Sequence, residues 1–155
     1  MDTSLSLVTF KISNELYGID IMDVQEIIRI AEITPIPNSP SFVDGIITLR
    51  GEIIPIVDLC KRFNLERLTF NEDEELMRGI IVINVDDMII GIIIDQVNRV
   101  LGINSSQIQP PPQMISGIGS EYIHGVVKLE EVLLIMLNIK KLFSKKELME
   151  LSSIY

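Results

Sequence analysis

The N-terminal part of the chain changes from a strand-like to a helix-like spacing of apolar residues. Apolar and polar positions partly alternate over residues 5–12 and 16–21, on either side of the polar segment 13–15. This pattern predicts a β-hairpin. The apolar residues that follow have helical spacing, which predicts a short helix with one apolar face. The members of that face are Ile21, Val24, Ile27 and Ile28.

Proline and glycine divide the next segment. Pro35 and Pro37 predict extended backbone, because each proline fixes its own φ and keeps the preceding residue out of the α region. Ser39 followed by Pro40 predicts the start of a short helix, and Gly45 is suited to end it.

The segment after that helix is predicted to form a β-hairpin. Residues 46–50 and 53–57 have the apolar character of strands and flank a tight turn at residues 51–52. The glycine comes first in this turn, as a type II′ hairpin requires. Asp58 can then cap a short helix that runs to Phe63.

Part of this sequence is repeated in the second half of the chain. Residues 45–63 align without a gap onto 125–143 at an offset of 80, and residues 18–27 align onto 91–100 at an offset of 73. Such a repeat indicates one structural unit used twice. The identical pairs of the longer alignment include Gly45 with Gly125, Leu49 with Leu129, Lys61 with Lys141, and Phe63 with Phe143.

The remaining segments complete a two-lobed organisation. Residues 80–85 and 88–94 flank two aspartates and predict a further hairpin. The acidic stretch within 65–78 is predicted to link the lobes, which would then cover about 7–70 and 79–143. A serine and a glutamate in capping-box spacing predict a charged C-terminal helix in the extension 144–155. The expected fold is all-β, with two pseudo-symmetric five-stranded barrel lobes, short helices and a groove between the lobes.

Composition supports this fold and limits the partners. The 155-residue chain contains 29 isoleucines and 11 valines but a single alanine, Ala31, and β-branched side chains suit strands. The formal net charge is −9 and tryptophan is absent, which disfavours nucleic acid and anionic membranes as partners. The longest apolar runs are too short to span a bilayer, and the acidic N-terminus does not resemble a secretory signal. The lone Cys60 fits a reducing cytoplasm.

The sequence offers little material for catalysis or metal binding. His124 is the only histidine, which leaves too few ligands for a zinc site. Cys60 has no base identifiable by motif and fits a small buried residue. Three aspartates beside apolar strands fit capping and turn roles better than acid–base chemistry; they are Asp20, Asp58 and Asp95. We therefore expect a protein that is not an enzyme and holds no metal or cofactor.

Residues 43–59 carry the pattern Val-x-Gly-x-x-x-Leu-Arg-Gly-x-x-x-Pro-x-x-Asp-Leu. Together with two preceding prolines, this pattern resembles the CheW family of chemotaxis coupling proteins. Residues 17–27 and 90–97 are similar to the same family, so the likeness covers about residues 7–143, which the resemblance implies are a single CheW-like domain. It implies two five-stranded SH3-like β-barrels around a hydrophobic interface, and the first strand can belong to the second lobe.

The resemblance also implies a function. Such a protein is a non-enzymatic adaptor between the cytoplasmic tip of chemoreceptors and the regulatory domain of a chemotaxis histidine autokinase. It would be cytoplasmic and would reach membrane receptor arrays through protein contacts, without inserting into the membrane. One alternative is a regulatory CheW-like module of another two-component system. Another is a small-molecule-binding β-barrel, which would need a cavity with convergent polar groups.

Candidate site residues follow from motif position. Arg50 and Glu26 resemble a surface ion pair of the family, although a solvated hairpin arginine is an alternative. Thr48 stands where the family usually has asparagine, so a turn hydrogen bond made by that asparagine is in doubt. Plain core packing explains Ile27 as well as a partner contact does. The candidate receptor-facing residues are Val24, Ile27, Ile28, Ile92 and Val97, and the candidate kinase-facing residues are Gly45, Ile47 and Arg50.

Overall fold

Two five-stranded β-sheets form most of the fold, with a small two-stranded sheet and short helices in addition. The computed structural model describes residues 3–111, 114–115 and 118–153. In chain order, the strands are β1 (Ser4–Ile12), β2 (Glu15–Asp20), β3 (Val24–Arg29), β4 (Val43–Leu49), β5 (Glu52–Val57), β6 (Gly79–Val85), β7 (Met88–Ile94), β8 (Gln96–Asn104), β9 (Met114–Ile115), β10 (Ile118–Gly119), β11 (Ile123–Lys128) and β12 (Leu133–Leu137). The helices are α1 (Leu59–Phe63), α2 (Glu72–Leu76) and α3 (Lys145–Ser152), with 3₁₀ turns at Ile21–Asp23, Ser105–Gln107, Ser120–Tyr122 and Ile139–Lys141. Within the described ranges, no helix is long and apolar enough to cross a bilayer.

The two main sheets have equivalent strand orders. Sheet A has the order β11-β12-β2-β1-β8, and sheet B has the order β4-β5-β7-β6-β3. Strand β12 pairs with β2 in parallel, as β5 does with β7, whereas the other neighbours are antiparallel. The hairpins β4–β5 and β11–β12 are the two copies of the sequence repeat. This architecture confirms the predicted all-β fold of two five-stranded lobes, here called lobe A and lobe B after their sheets.

The predicted boundary between the lobes is wrong. Both β1 and β2 belong to sheet A, and the chain then crosses to sheet B for β3 and returns for β8. Residues 65–78 connect β5 and β6 within sheet B, so they are not a link between lobes. The repeated units are therefore not the lobes. Strand β2 of sheet A is followed by β3 of sheet B, and β7 of sheet B is followed by β8 of sheet A. Lobe B corresponds to about residues 21–94, and the division into 7–70 and 79–143 does not hold.

Several local predictions are confirmed. The β1–β2 and β6–β7 hairpins turn at residues 13–14 and 86–87, and all four of those residues have positive φ. Asp58 caps α1 by accepting a hydrogen bond from the backbone N–H of Cys60. Ser144 and its capping-box glutamate begin α3.

The predicted helix over residues 21–28 is wrong. Only Ile21–Asp23 is helical, as a single 3₁₀ turn capped by Asp20, and β3 begins at Val24. A β-bulge lies between Val24 and Glu26, yet burial still alternates along β3, with Val24 and Ile28 on the inner face and Ile27 on the exposed face. An apolar residue on the exposed face gives the strand a spacing that imitates a helix, and sheet pairing decides the structure.

The segment before the β4–β5 hairpin and its turn also differ from prediction. No helix forms between Ser39 and Gly45. The chain makes a tight turn at residues 41–42, and β4 begins directly after it at Val43. The hairpin turn lies one residue earlier than predicted, at Arg50 (φ 51°) and Gly51 (φ 82°). Positive φ at both positions is the type I′ pattern, in which glycine is favoured second. Arginine therefore occupies a left-handed conformation that is uncommon for its residue type.

The glycines of the repeat stand where each sheet closes on itself. Thr34 pairs with Ile46 at the edge of sheet B, and Gln109 pairs with Val126 at the edge of sheet A. A Cβ on Gly45 would collide with the carbonyl oxygen of Thr34, and one on Gly125 would lie 2.8 Å from the carbonyl oxygen of Gln109. Both glycines also follow a β-bulge. The repeat therefore retains glycine because the closing segment passes directly over it.

The largest apolar core lies between the two sheets. It contains buried residues of β1, β2, β11 and β12 from sheet A together with residues of β6 and β7 from sheet B. Two smaller cores lie within the single lobes. Four aromatic rings complete the shared core from the two sides. They form two pairs, Phe42 with Phe143 and Phe63 with Tyr122.

We predict that Gly45→Ala lowers the free energy of unfolding by about 2 kcal/mol or more. The added methyl group would displace the Thr34 segment that closes sheet B. Gly102→Ala is the matched control, because Gly102 is exposed on a strand with nothing within 4 Å of an added Cβ, and it should change stability by less than about 0.5 kcal/mol. Urea unfolding of the two variants measures the difference, and equal midpoints would contradict this account of the repeat.

Candidate functional site

Arg50 and Glu26 form a two-point ion pair on the surface of lobe B. Arg50 Nη1 donates to Glu26 Oε1 at 2.7 Å, and Nη2 donates to Oε2 at 2.8 Å. The arginine side chain is 72% exposed and the glutamate side chain is 26% exposed. Glu26 lies on β3 and Arg50 in the β4–β5 turn, so the pair connects the two outermost strands of sheet B. The structure thus brings together the two residues that the sequence pattern pairs.

The ion pair keeps both side chains charged and fixes the orientation of the Arg50 guanidinium on this surface. The hydrogen bonds from Arg50 hold the pKa of Glu26 below its ordinary value, and the carboxylate raises the pKa of Arg50 in turn. Because both groups are in contact with water, solvent screens their attraction and the pair adds little to stability. A fork-to-fork geometry nevertheless presents the guanidinium in one orientation. Orientation is therefore the main physical consequence of the pair.

A small depression lies beneath the ion pair. It has a volume of about 230 Å³, with charged residues at its rim and apolar residues of the lobe B core below. Small-molecule pockets are usually larger and lined mainly by apolar groups, so the depression resembles a surface recess more than a ligand cavity. Its lining residues include Gln25, Glu26, Leu49, Arg50, Ile54 and Val82.

The corresponding end of lobe A differs in charge. Glu130 and Glu131 stand where lobe B has Arg50 and Gly51. They line an open depression of about 750 Å³ together with Lys128 and several other residues. The two lobes therefore share a framework but present different chemistry at their hairpin tips.

The five candidate receptor-facing residues do not form one exposed set. Ile27 on β3 and Val97 on β8 are 39% and 37% exposed, and these strands lie at the outer edges of different sheets. Val24 and Ile28 are half-buried and pack on the shared core and the lobe B core. Ile92 is fully buried. The prediction that Ile92 faces a partner is therefore wrong, because it lies on the central strand β7.

Two of the three candidate kinase-facing residues are also buried. Ile47 is 6% exposed and belongs to the lobe B core. Gly45 lies beneath the Thr34 segment that closes sheet B. The roles of Gly45 and Ile47 are structural. Of the three candidate kinase-facing residues, Arg50 alone is exposed. Thr48 is exposed on β4, paired with Ile53, where threonine suits a strand.

The residues considered for catalysis have structural roles. Asp20 and Asp58 cap the turns that follow them, and Asp95 accepts a hydrogen bond from the backbone N–H of Ser13. Burial, with the nearby Asp58 carboxylate, raises the pKa of Cys60 to about 11, so its thiol is protonated at neutral pH. His124 is exposed on β11. Among the residues that the structure describes, no group of three or more His, Cys, Asp and Glu side chains could hold a metal ion.

Comparison with known proteins identifies the family. The CheW-like domain matches residues 6–147 of the chain. The chain belongs to the CheW family. A chemotaxis protein CheW from Treponema pallidum is 49% identical, covering 99% of this chain and 90% of the relative, and one from Klebsiella aerogenes is 38% identical over 90% and 81%. The crystal structure of the scaffolding protein TtCheW from Thermoanaerobacter tengcongensis superposes with a TM-score of 0.83 at 34% identity, covering 94% of this chain and 91% of that one.

One prominent residue of the structure is absent from the sequence-based candidates. Arg62 on α1 lies between the rings of Phe42 and Tyr122, at 5.5 and 5.1 Å from their centroids, where the two lobes meet. The repeat carries the signal for it, because Leu142 occupies the equivalent position at the offset of 80. The contact between the lobes therefore contains an arginine in lobe B at the position where lobe A has a leucine.

We predict that Arg50→Asn raises the pKa of Glu26 toward its ordinary value. Asparagine tolerates the left-handed turn and forms the preferred Asn-Gly pair, so the hairpin should persist while the ion pair is lost. In the native protein the lowered pKa of Glu26 means that the ion pair contributes to the free energy of unfolding at pH values above the ordinary glutamate pKa. That contribution is lost as pH falls through the lowered value.

Carboxyl ¹³C NMR titration of Glu26 measures this change. The native protein, titrated under the same conditions, is the reference. An unchanged Glu26 pKa in the variant would show that the contact with Arg50 is not maintained in solution.

Proposed function

We propose that this protein is a non-enzymatic scaffold that couples the cytoplasmic tips of chemoreceptors to a chemotaxis histidine kinase. The observation that carries the proposal is its family membership over nearly the whole chain, with relatives named chemotaxis protein CheW and a structural neighbour described as a scaffolding protein. The capping and turn roles of its aspartates agree with a binding function. Protein contacts with receptors would bring it from the cytoplasm to membrane arrays.

The receptor contact is proposed to involve the edge strands β3 and β8. Each carries an exposed aliphatic side chain, Ile27 or Val97, at a position where a strand edge is open to a partner. Val24 and Ile28, on the opposite face of β3 from Ile27, are half-buried and pack on the cores. Exposed aliphatic residues on a rigid strand suit the apolar face of a receptor helix, because little conformational entropy is lost on binding.

The kinase contact is proposed to involve the β4–β5 turn. Arg50 is exposed and oriented by Glu26, and its left-handed backbone is a form of local strain often found at functional sites. The repeat shows that a lobe closes without this arginine, since lobe A has Glu130 at the equivalent position. Closure of the sheet therefore does not explain why lobe B has it.

We predict that Ile27→Asn weakens binding of a receptor signalling-tip dimer by about tenfold or more, as expected for a central apolar contact. The native chain and the variant are titrated with the receptor peptide and with the regulatory domain of the kinase, by calorimetry. Leu76→Asn is the matched control, because Leu76 is also exposed but lies on α2, outside the proposed contacts. Absence of binding by the native chain to both partners would refute the coupling function.

A further inference from the structure

The contact between the lobes is itself pseudo-symmetric. Phe42 stacks on Phe143 with ring centroids 5.8 Å apart, and Tyr122 packs on Phe63 with centroids 5.3 Å apart. The offset of 80 converts Phe42 into Tyr122 and Phe63 into Phe143. Each aromatic pair is therefore the equivalent of the other, as in the interface of a homodimer.

Arg62 breaks this symmetry. Its guanidinium lies over the rings of Phe42 and Tyr122, which are equivalent residues of the two lobes. The residue equivalent to Arg62 is Leu142, which is fully buried. A symmetric interface would pair two leucines, so the arginine adds a function that packing alone does not need.

Within the part of the chain that the structure describes, the polar contacts of the guanidinium all cross the lobe boundary. Arg62 Nη2 lies 2.9 Å from Glu147 Oε1, 3.3 Å from the carbonyl oxygen of Leu142 and 3.4 Å from the hydroxyl of Tyr122. These three partners belong to lobe A or to α3, whereas Arg62 belongs to α1 of lobe B. The buried Nε has no hydrogen-bond partner among the described residues. An apolar residue would leave no such unsatisfied donor, which indicates that Arg62 contributes geometry and not only stability.

Glu147 connects this contact to α3. The same Oε1 atom that receives Arg62 also accepts a hydrogen bond from the backbone N–H of Ser144 at 2.8 Å, and so completes the capping box of α3. A helix of eight residues is marginal on its own. Leu151, which is fully buried, anchors its other end in the shared core. The ordering of α3 thus depends on contacts at the lobe boundary, and Arg62 connects α1 of lobe B to α3.

We infer that Arg62 is a positioning residue that sets the orientation of lobe A against lobe B, with α3 as the clamp that holds it. Apolar packing brings the lobes together without directional bonds, whereas the charge-assisted hydrogen bond from Arg62 Nη2 to Glu147 has a preferred direction. A partner that touches the edge strands of both sheets needs that orientation. This last step rests on the proposed function, while the positioning of the lobes does not.

Arg62→Leu tests the inference, because it places in lobe B the residue that lobe A already has. We expect a folded protein in which hydrogen-exchange protection of the α3 amides falls by about tenfold, the loss of one charge-assisted hydrogen bond. Residual dipolar couplings should show the two sheets in a changed or averaged relative orientation. Binding of the receptor signalling-tip dimer should weaken by a similar factor.

Arg78→Leu is the matched control. Arg78 is also mostly buried, stacks on Phe70, pairs with Glu75 and has a buried Nε without a partner among the described residues. All of these contacts lie within the β5–β6 connection of lobe B. The same chemical change there should leave α3 protection and the orientation of the sheets unaltered.

Glu147→Gln provides a second variant if Arg62→Leu does not fold. Glutamine keeps an acceptor for the capping box and removes the charge, so it should release the clamp with little effect on the core. Unchanged α3 protection and unchanged sheet orientation in the folded variants would overturn the inference. Failure of the native protein to bind the receptor peptide would instead refute the proposed function, and the structural measurements would still decide the role of Arg62.

Discussion

The shared apolar core between the sheets is the constraint on which the rest of the structure depends. Each sheet turns the buried side chains of its central strands toward the other, and this cluster is larger than the core of either lobe. The chain crosses between the sheets before β3 and before β8, so each sheet contains a strand that follows a hairpin of the other. Neither lobe can bury its apolar face without its partner. The surfaces proposed to bind partners are consequently carried by one folding unit.

The repeat separates what a lobe needs from what this protein adds. Gly45 and Gly125 are retained because a closing segment passes over each of them. Arg50 and Arg62 are two of the departures, one at an exposed turn and one at the lobe boundary. Both use a guanidinium to fix an orientation, in the first case of a surface and in the second of a whole lobe. The residues with proposed roles therefore fall among the differences between the repeats and not among their similarities.

The sequence predicted strands and turns well where local chemistry decides them. Alternation identified the β1–β2 hairpin, two apolar runs that flank a pair of aspartates identified the β6–β7 hairpin, and Asp58 and Ser144 marked the helices they cap. Partition into lobes failed, because a repeat reveals equivalent segments but not which sheet each strand joins. The helix predicted around Val24 did not form, because the apolar Ile27 lies on the exposed face of β3 and gives the strand a helix-like spacing. The ion pair of Arg50 with Glu26 was accessible only through motif resemblance, since the residues are distant in sequence.

Cooperative unfolding of the two lobes tests the central claim most directly. Methyl NMR during urea unfolding can follow Ile54 in the lobe B core and Ile103 in the lobe A core as separate probes. A single folding unit built on a shared core predicts the same midpoint and the same slope for both methyl groups. Two distinct midpoints, with one lobe unfolded while the other remains native, would contradict it.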